Sequence, residues 1–167
     1  MGETKLKIND IAGAYRSLLT ETGQLFGDAD RQSIKSMIRR YRSADSGGHT
    51  ADIEGVDRLW RSLATAAELS RSIAPDRNMV SAILYFPLYQ AGLATAADIT
   101  AGAEADVATL VEGLAKVQEL YSRHGVVASE NFRNLMLTLA RDIRVVIIMI
   151  VDRLVVMRAI NHHPDEE

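Results

Sequence analysis

Apolar residues recur at three- and four-residue steps through most of this chain, and the two-residue alternation of a half-buried strand is nearly absent. Asp10 can cap a first helix that turns Ile11, Tyr15, Leu18 and Leu19 inward. Asp28 and Asp30 stand before a second, whose face holds Ile34, Ile38 and Tyr41. "SADSGGHTAD" (43–52) reads as a loop, and a third helix is expected over Ile53–Ile73. "APD" (74–76) breaks the chain and caps a fourth helix through "RNMVSAILYFPLYQAG". Thr95 opens a short fifth segment and Glu104–Arg123 a long sixth. After "HGVVASEN", Ser129 caps a helix through Leu139, and an apolar helix around Asp152 follows. The pattern predicts an all-α bundle of about six to eight helices around that central apolar helix. No internal repeat or low-complexity tract interrupts it.

Composition narrows this picture. With 167 residues and 47% hydrophobic content, the chain can bury one core, and it reads as one domain. A net charge of −3 argues against a general polyanion-binding surface, so no direct nucleic-acid partner is expected. There is no Cys, which excludes disulfides and thiolate metal sites. The start "MGETKLKIND" has no apolar leader region, and the run Val145–Val151 is far shorter than the ~20 residues that span a bilayer. The expectation is a cytoplasmic chain with no membrane partner. It ends "NHHPDEE" directly after its most apolar helix, so residues 1–167 are expected to be a fragment of a longer protein.

The chemistry concentrates in "RVVIIMIVDRLVVMR" (144–158). A helix that is apolar all round is expected at the middle of a fold. An unpartnered carboxylate there costs several kcal/mol. Positions one turn from Asp152 are Ile148, Met149, Val155 and Val156, so its partner must come from another part of the chain. A buried pair with an Arg from another helix is the expectation, with a weak cation site as the alternative.

The stretch "ENFRNLMLTLARDIRVVIIMIVDRLVVMR" (130–158) resembles the signature of the RelA/SpoT family, which makes and degrades the alarmone (p)ppGpp. Glu130, Asn131, Arg133, Asp142, Ile143, Arg144, Val145, Ile148, Asp152, Arg153, Leu154, Met157 and Arg158 match in register. Upstream, "EADVATLVEGLAKV" (104–117) retains the family's Asp106, Val107, Val111, Gly113 and Lys116. The resembling part is the N-terminal HD-type hydrolase domain, which is all-α.

Active members hold Mn²⁺ with a His, a His-Asp pair and a later Asp, and carry a Glu-Asp pair as acid/base within H-D-x-x-E-D. Here that segment reads "FPLYQA" (86–91). Phe86 and Pro87 stand at the His-Asp positions, and Gln90 and Ala91 at the Glu-Asp positions. The first metal His falls on Ser62, or on His49 if an insertion is admitted, and the Asn after the last Asp is Val156. Only Asp152 carries over as a ligand, and one carboxylate does not hold Mn²⁺ against water. Pro87 should also kink its helix by removing an N–H and crowding the Ile83 carbonyl.

The resemblance therefore implies an inactive (p)ppGpp hydrolase domain with no catalytic residue, no metal and no cofactor of its own. It would scaffold or regulate a following synthetase domain that transfers pyrophosphate from ATP to GTP or GDP. Two other readings stay open. The emptied pocket could hold a guanine nucleotide as an allosteric sensor, or substitute ligands such as His49 could sustain Mn²⁺-dependent hydrolysis. Lys35, Arg39 and Arg42 share one helical face, read as solvated, although they could grip a phosphate. Trp60 is expected in the core or at a domain contact, Met136, Met149 and Met157 as core filling, and His162 and His163 as solvated tail residues.

Overall fold

The computed structural model describes residues 9–44, 56–73, 76–123, 133–134, 137 and 141–161. Seven helices are bounded within them: α1 (Ile11–Glu21), α2 (Asp28–Ala44), α3 (Arg58–Ser72), α4 (Arg77–Gln90), α5 (Ala96–Gly102), α6 (Ala105–Arg123) and α7 (Ile143–Asn161). No β-strand occurs among the described residues, and the all-α bundle is as expected. Most of the helix expected from Ser129 lies outside them, as do His49, Met136, His162 and His163. Arg133, Asn134 and Leu137, the described positions of that helix, are helical.

Short polar side chains set the helix starts. Asp10 accepts the Gly13 N–H at 3.0 Å, and Asp76 accepts that of Met79 at 2.7 Å. Thr95 and Asp98 close a reciprocal capping box on α5. The third helix begins later than the periodicity suggested. Asp57, extended at φ −61° and ψ 127°, caps it by accepting the N–H groups of Leu59 and Trp60. The Asp57 N–H in turn donates to the Asn9 side chain at 2.7 Å, which ties the start of α1 to the start of α3.

The middle of the bundle is α3. Leu59, Trp60, Leu63, Ala66 and Leu69 are all buried, and α1, α4 and α7 pack around it. Fully burying a side chain of Leu size contributes about 1.5–3 kcal/mol, so this helix anchors the fold. Trp60 is 2% exposed and is a core residue, as expected. In α6, Val107, Leu110, Val111 and Val117 are buried. A Cβ at Gly113 would sit 3.1 Å from Val145 Cγ2, so glycine there permits the close approach of α6 and α7.

Apolar composition all round does not put α7 in the middle. Val145, Ile148, Val151, Val155 and Val156 are buried, whereas Ile143, Ile150 and Met157 are 66%, 64% and 57% exposed. Met149 is partly buried against the core, but Met157 is not core filling. The elements around α7 cover one side of it, a property of the tertiary arrangement that local hydrophobicity does not encode.

Candidate functional site

The polar positions of α3 at 61, 65 and 68 follow helical spacing and meet the polar positions of α7. Asp152 is half-buried rather than fully enclosed, with 26% of its side chain exposed. Its carboxylate is gripped in bidentate fashion by Arg61. Arg61 Nε donates to Oδ1 at 2.7 Å and a terminal nitrogen to Oδ2 at 2.5 Å. The Thr65 hydroxyl stands 3.5 Å from Oδ1, at the limit of a hydrogen bond. The expected Arg from another helix is therefore Arg61.

One to two turns further along the same contact, the polarity reverses. Glu68 of α3 lies 3.4 Å from Arg158 of α7, and it also accepts from Ser72 at 2.7 Å and from Arg71. Burial pushes the Glu68 pKa up, but the Ser72 hydroxyl, Arg71 and Arg158 outweigh it, and the carboxyl ends below its ordinary value. Two ion pairs of opposite sense, Arg61 to Asp152 and Glu68 to Arg158, fix how α3 and α7 lie against each other.

Ser62, at the position where the resemblance puts the first metal His, is turned to α4. Its hydroxyl donates to the Ile83 carbonyl at 2.6 Å. That carbonyl is the one Pro87 leaves without its helical partner, since proline has no N–H to return to position 83. The expected lesion is thus healed from a neighbouring helix. α4 continues through Pro87 to Gln90, and the Ala91 N–H closes the end by donating to the Pro87 carbonyl at 3.0 Å.

α3 thus meets the matched positions in two separate contacts: its Ser62 bonds α4 at Ile83, one turn before Pro87, and its Arg61 and Thr65 meet Asp152 of α7. Phe86 is half-buried beside Pro87, and Gln90 and Ala91 face elsewhere. The Gln90 amide donates to Gln118 of α6, and Ala91 is exposed. Val156 is 1% exposed, a packed apolar position. A cavity of about 10 Å³ between α2, α3 and α4 has Pro87, Leu63 and Leu84 in its apolar wall, space for no more than a single water.

These residues do not fit a divalent metal. Both oxygens of the Asp152 carboxylate accept from a guanidinium, the Ser62 hydroxyl is turned to a backbone carbonyl of α4, and Phe86 and Pro87 offer no ligand atom in their side chains. Among the described residues, no group of three or more His, Cys, Asp or Glu side chains could hold a metal ion.

A second polar knot joins the start of α7 to α4 and α6. Arg144 donates to both oxygens of Asp106, at 2.6 and 2.8 Å, and to Asp142, and it lies 3.5 Å from Asp76. Asn78 donates to Asp106 and to Glu104, each at 3.0 Å. The Arg144 hydrogen bonds, against the opposing effect of burial, pull the Asp106 pKa down to about 2. Arg144 itself is held more firmly protonated by Asp106 and Asp142.

Sequence reasoning had not singled out Arg61, Thr65 or Glu68, and it read Asp76 only as a helix cap. The signal for the first three was present: polar residues at 61, 65 and 68 within the otherwise apolar "LWRSLATAAEL" mark a stripe that needs polar partners. Lys35, Arg39 and Arg42 are exposed, in keeping with a solvated face.

The all-α bundle is consistent with one family of known proteins. A family model, HD_4, described as HD domain, matches residues 47–167. The chain belongs to this HD-domain family. No curated protein and no solved structure matches it. No helix among the described residues is long and apolar enough to cross a membrane.

Proposed function

We propose that this chain is a degenerate hydrolase domain of the RelA/SpoT type, without (p)ppGpp hydrolysis, that scaffolds or regulates a synthetase domain belonging to the same longer protein. The carrying observation is that the two polar side chains at the metal-ligand positions are each engaged by another part of the chain. The Arg61 guanidinium occupies the Asp152 carboxylate, and Ser62 repairs the helix interrupted by Pro87. A metal would have to displace that guanidinium to take Asp152 as a ligand. The retained Asp106, Asp142 and Arg144, all part of the resemblance to the family, serve here as a structural tie between helices.

In this reading the RelA/SpoT assignment rests on the matching residues of 104–117 and 130–158, and the HD-domain membership is the coarser ground beneath it. A domain of this kind acts through the surfaces it presents and has no bond-making step of its own. The test incubates the protein with Mn²⁺ and ppGpp beside an active hydrolase domain and follows pyrophosphate release. No release above the uncatalysed rate is expected. Mn²⁺-dependent release would overturn the reading, and His49 would be the first residue to replace.

A further inference from the structure

The outer face of α7 carries the strongest mismatch between chemistry and environment in the described residues. A surface helix normally turns polar residues to solvent. Here Ile143, Ile150, Leu154, Met157 and Ile160 are 66%, 64%, 38%, 57% and 43% exposed. The only acid of the helix, Asp152, is committed to Arg61.

The spacing of this face says what kind of surface covers it. Ile143, Ile147, Ile150, Leu154 and Met157 follow one another at alternating steps of four and three, with Ile147 half-buried at the edge. This is the seam of a helix that packs lengthwise against another helix bearing the same repeat. A second copy of α7 has such a seam by definition. The area is also adequate. At about 200 Å² for a fully exposed large aliphatic residue, the four exposed seam side chains present roughly 450 Å² per copy, so a two-fold pair would bury about 900 Å² from them, and the half-buried Ile147 and the rim bring it to about the 1,000 Å² of a specific interface.

We infer that α7 is a self-association surface: two copies of this chain pair through the outer seam of α7, centred near Ile150 and Leu154. Arg158, which flanks the seam, is paired with Glu68 of the same copy, so apolar burial drives the contact. This inference stands apart from the proposal about hydrolysis, since either can fail alone.

Sedimentation equilibrium on the whole chain, from about 1 to 300 µM, tests it. The average mass should rise towards that of a dimer, and added salt should leave the association intact, since apolar burial is not screened. Ile150→Glu should weaken the dissociation constant more than tenfold, with thermal unfolding and helical content of the monomer unchanged. Because the chain has no cysteine, Ile150→Cys should cross-link two copies under mild oxidation, while Lys35→Cys on the exposed face of α2 should not. A monomer throughout the range, association abolished by salt, or a dimer indifferent to both Ile150→Glu and Met157→Glu would overturn the inference.

Discussion

Two polar knots fasten α7 to the rest of the molecule, and they solve the same problem with different materials. At its start, Arg144 is ringed by Asp76, Asp106 and Asp142, three carboxylates to one guanidinium. Midway along, Arg61 meets Asp152 one to one, and Ser62 beside it answers a backbone carbonyl that Pro87 has orphaned. In the first knot Arg144, Asp106 and Asp142 match the family signature, and Asp76 joins them as the cap of α4. In the second, only Asp152 does, and its partner is a residue that the signature does not name. A buried carboxylate must be neutralised by something, and where no metal can be assembled a guanidinium does the work.

The knots should therefore break differently. The largest effect is expected from Arg144→Met, which leaves Asp106 and Asp142 facing one another without their cation. Chemical denaturation should show a loss of about 3 kcal/mol. Arg61→Ala should cost about 2 kcal/mol, less because a single carboxylate loses its cation, and the double replacement Arg61→Met with Asp152→Leu should recover most of it. A double replacement no better than the single would mean that Asp152 has a neutralising partner other than Arg61.

Ser62→Ala should cost about 1–2 kcal/mol by leaving the Ile83 carbonyl unpaired, but clearly less in a Pro87→Ala background, where the helix recovers its own donor. Equal costs in both backgrounds would remove the claim that Ser62 heals the proline lesion. The smallest effect is on acid stability. The Asp106 pKa is lowered from 3.8 to about 2, so its contribution is fully present above about pH 4 and is lost as the pH falls towards 2. Asp106→Asn should flatten that part of the stability curve.

Much of the architecture was legible in the sequence because helices announce themselves locally. Asp10, Asp76 and Thr95 cap where the pattern placed them, and the apolar faces of α1 and α2 point inward. The need of Asp152 for an arginine followed from the cost of burying charge. Which arginine it was did not, since Arg61 lies 91 residues away and pairing over that separation is set by how helices pack. The Ser62 hydrogen bond escaped notice for the same reason, although the vacancy at Ile83 was visible in Pro87. The outer face of α7 was misjudged because hydrophobicity reports what a helix would prefer, whereas burial also depends on how many neighbours reach it.

The most direct test of the account is Mn²⁺ titration followed by electron paramagnetic resonance, which reads free ion. At about 1 mM Mn²⁺ the chain should leave the free-ion signal unchanged, since one carboxylate already gripped by a guanidinium cannot compete with water for the metal. Stoichiometric depletion of the signal, abolished by Asp152→Ala, would contradict it and mean that a working metal site survives around Asp152.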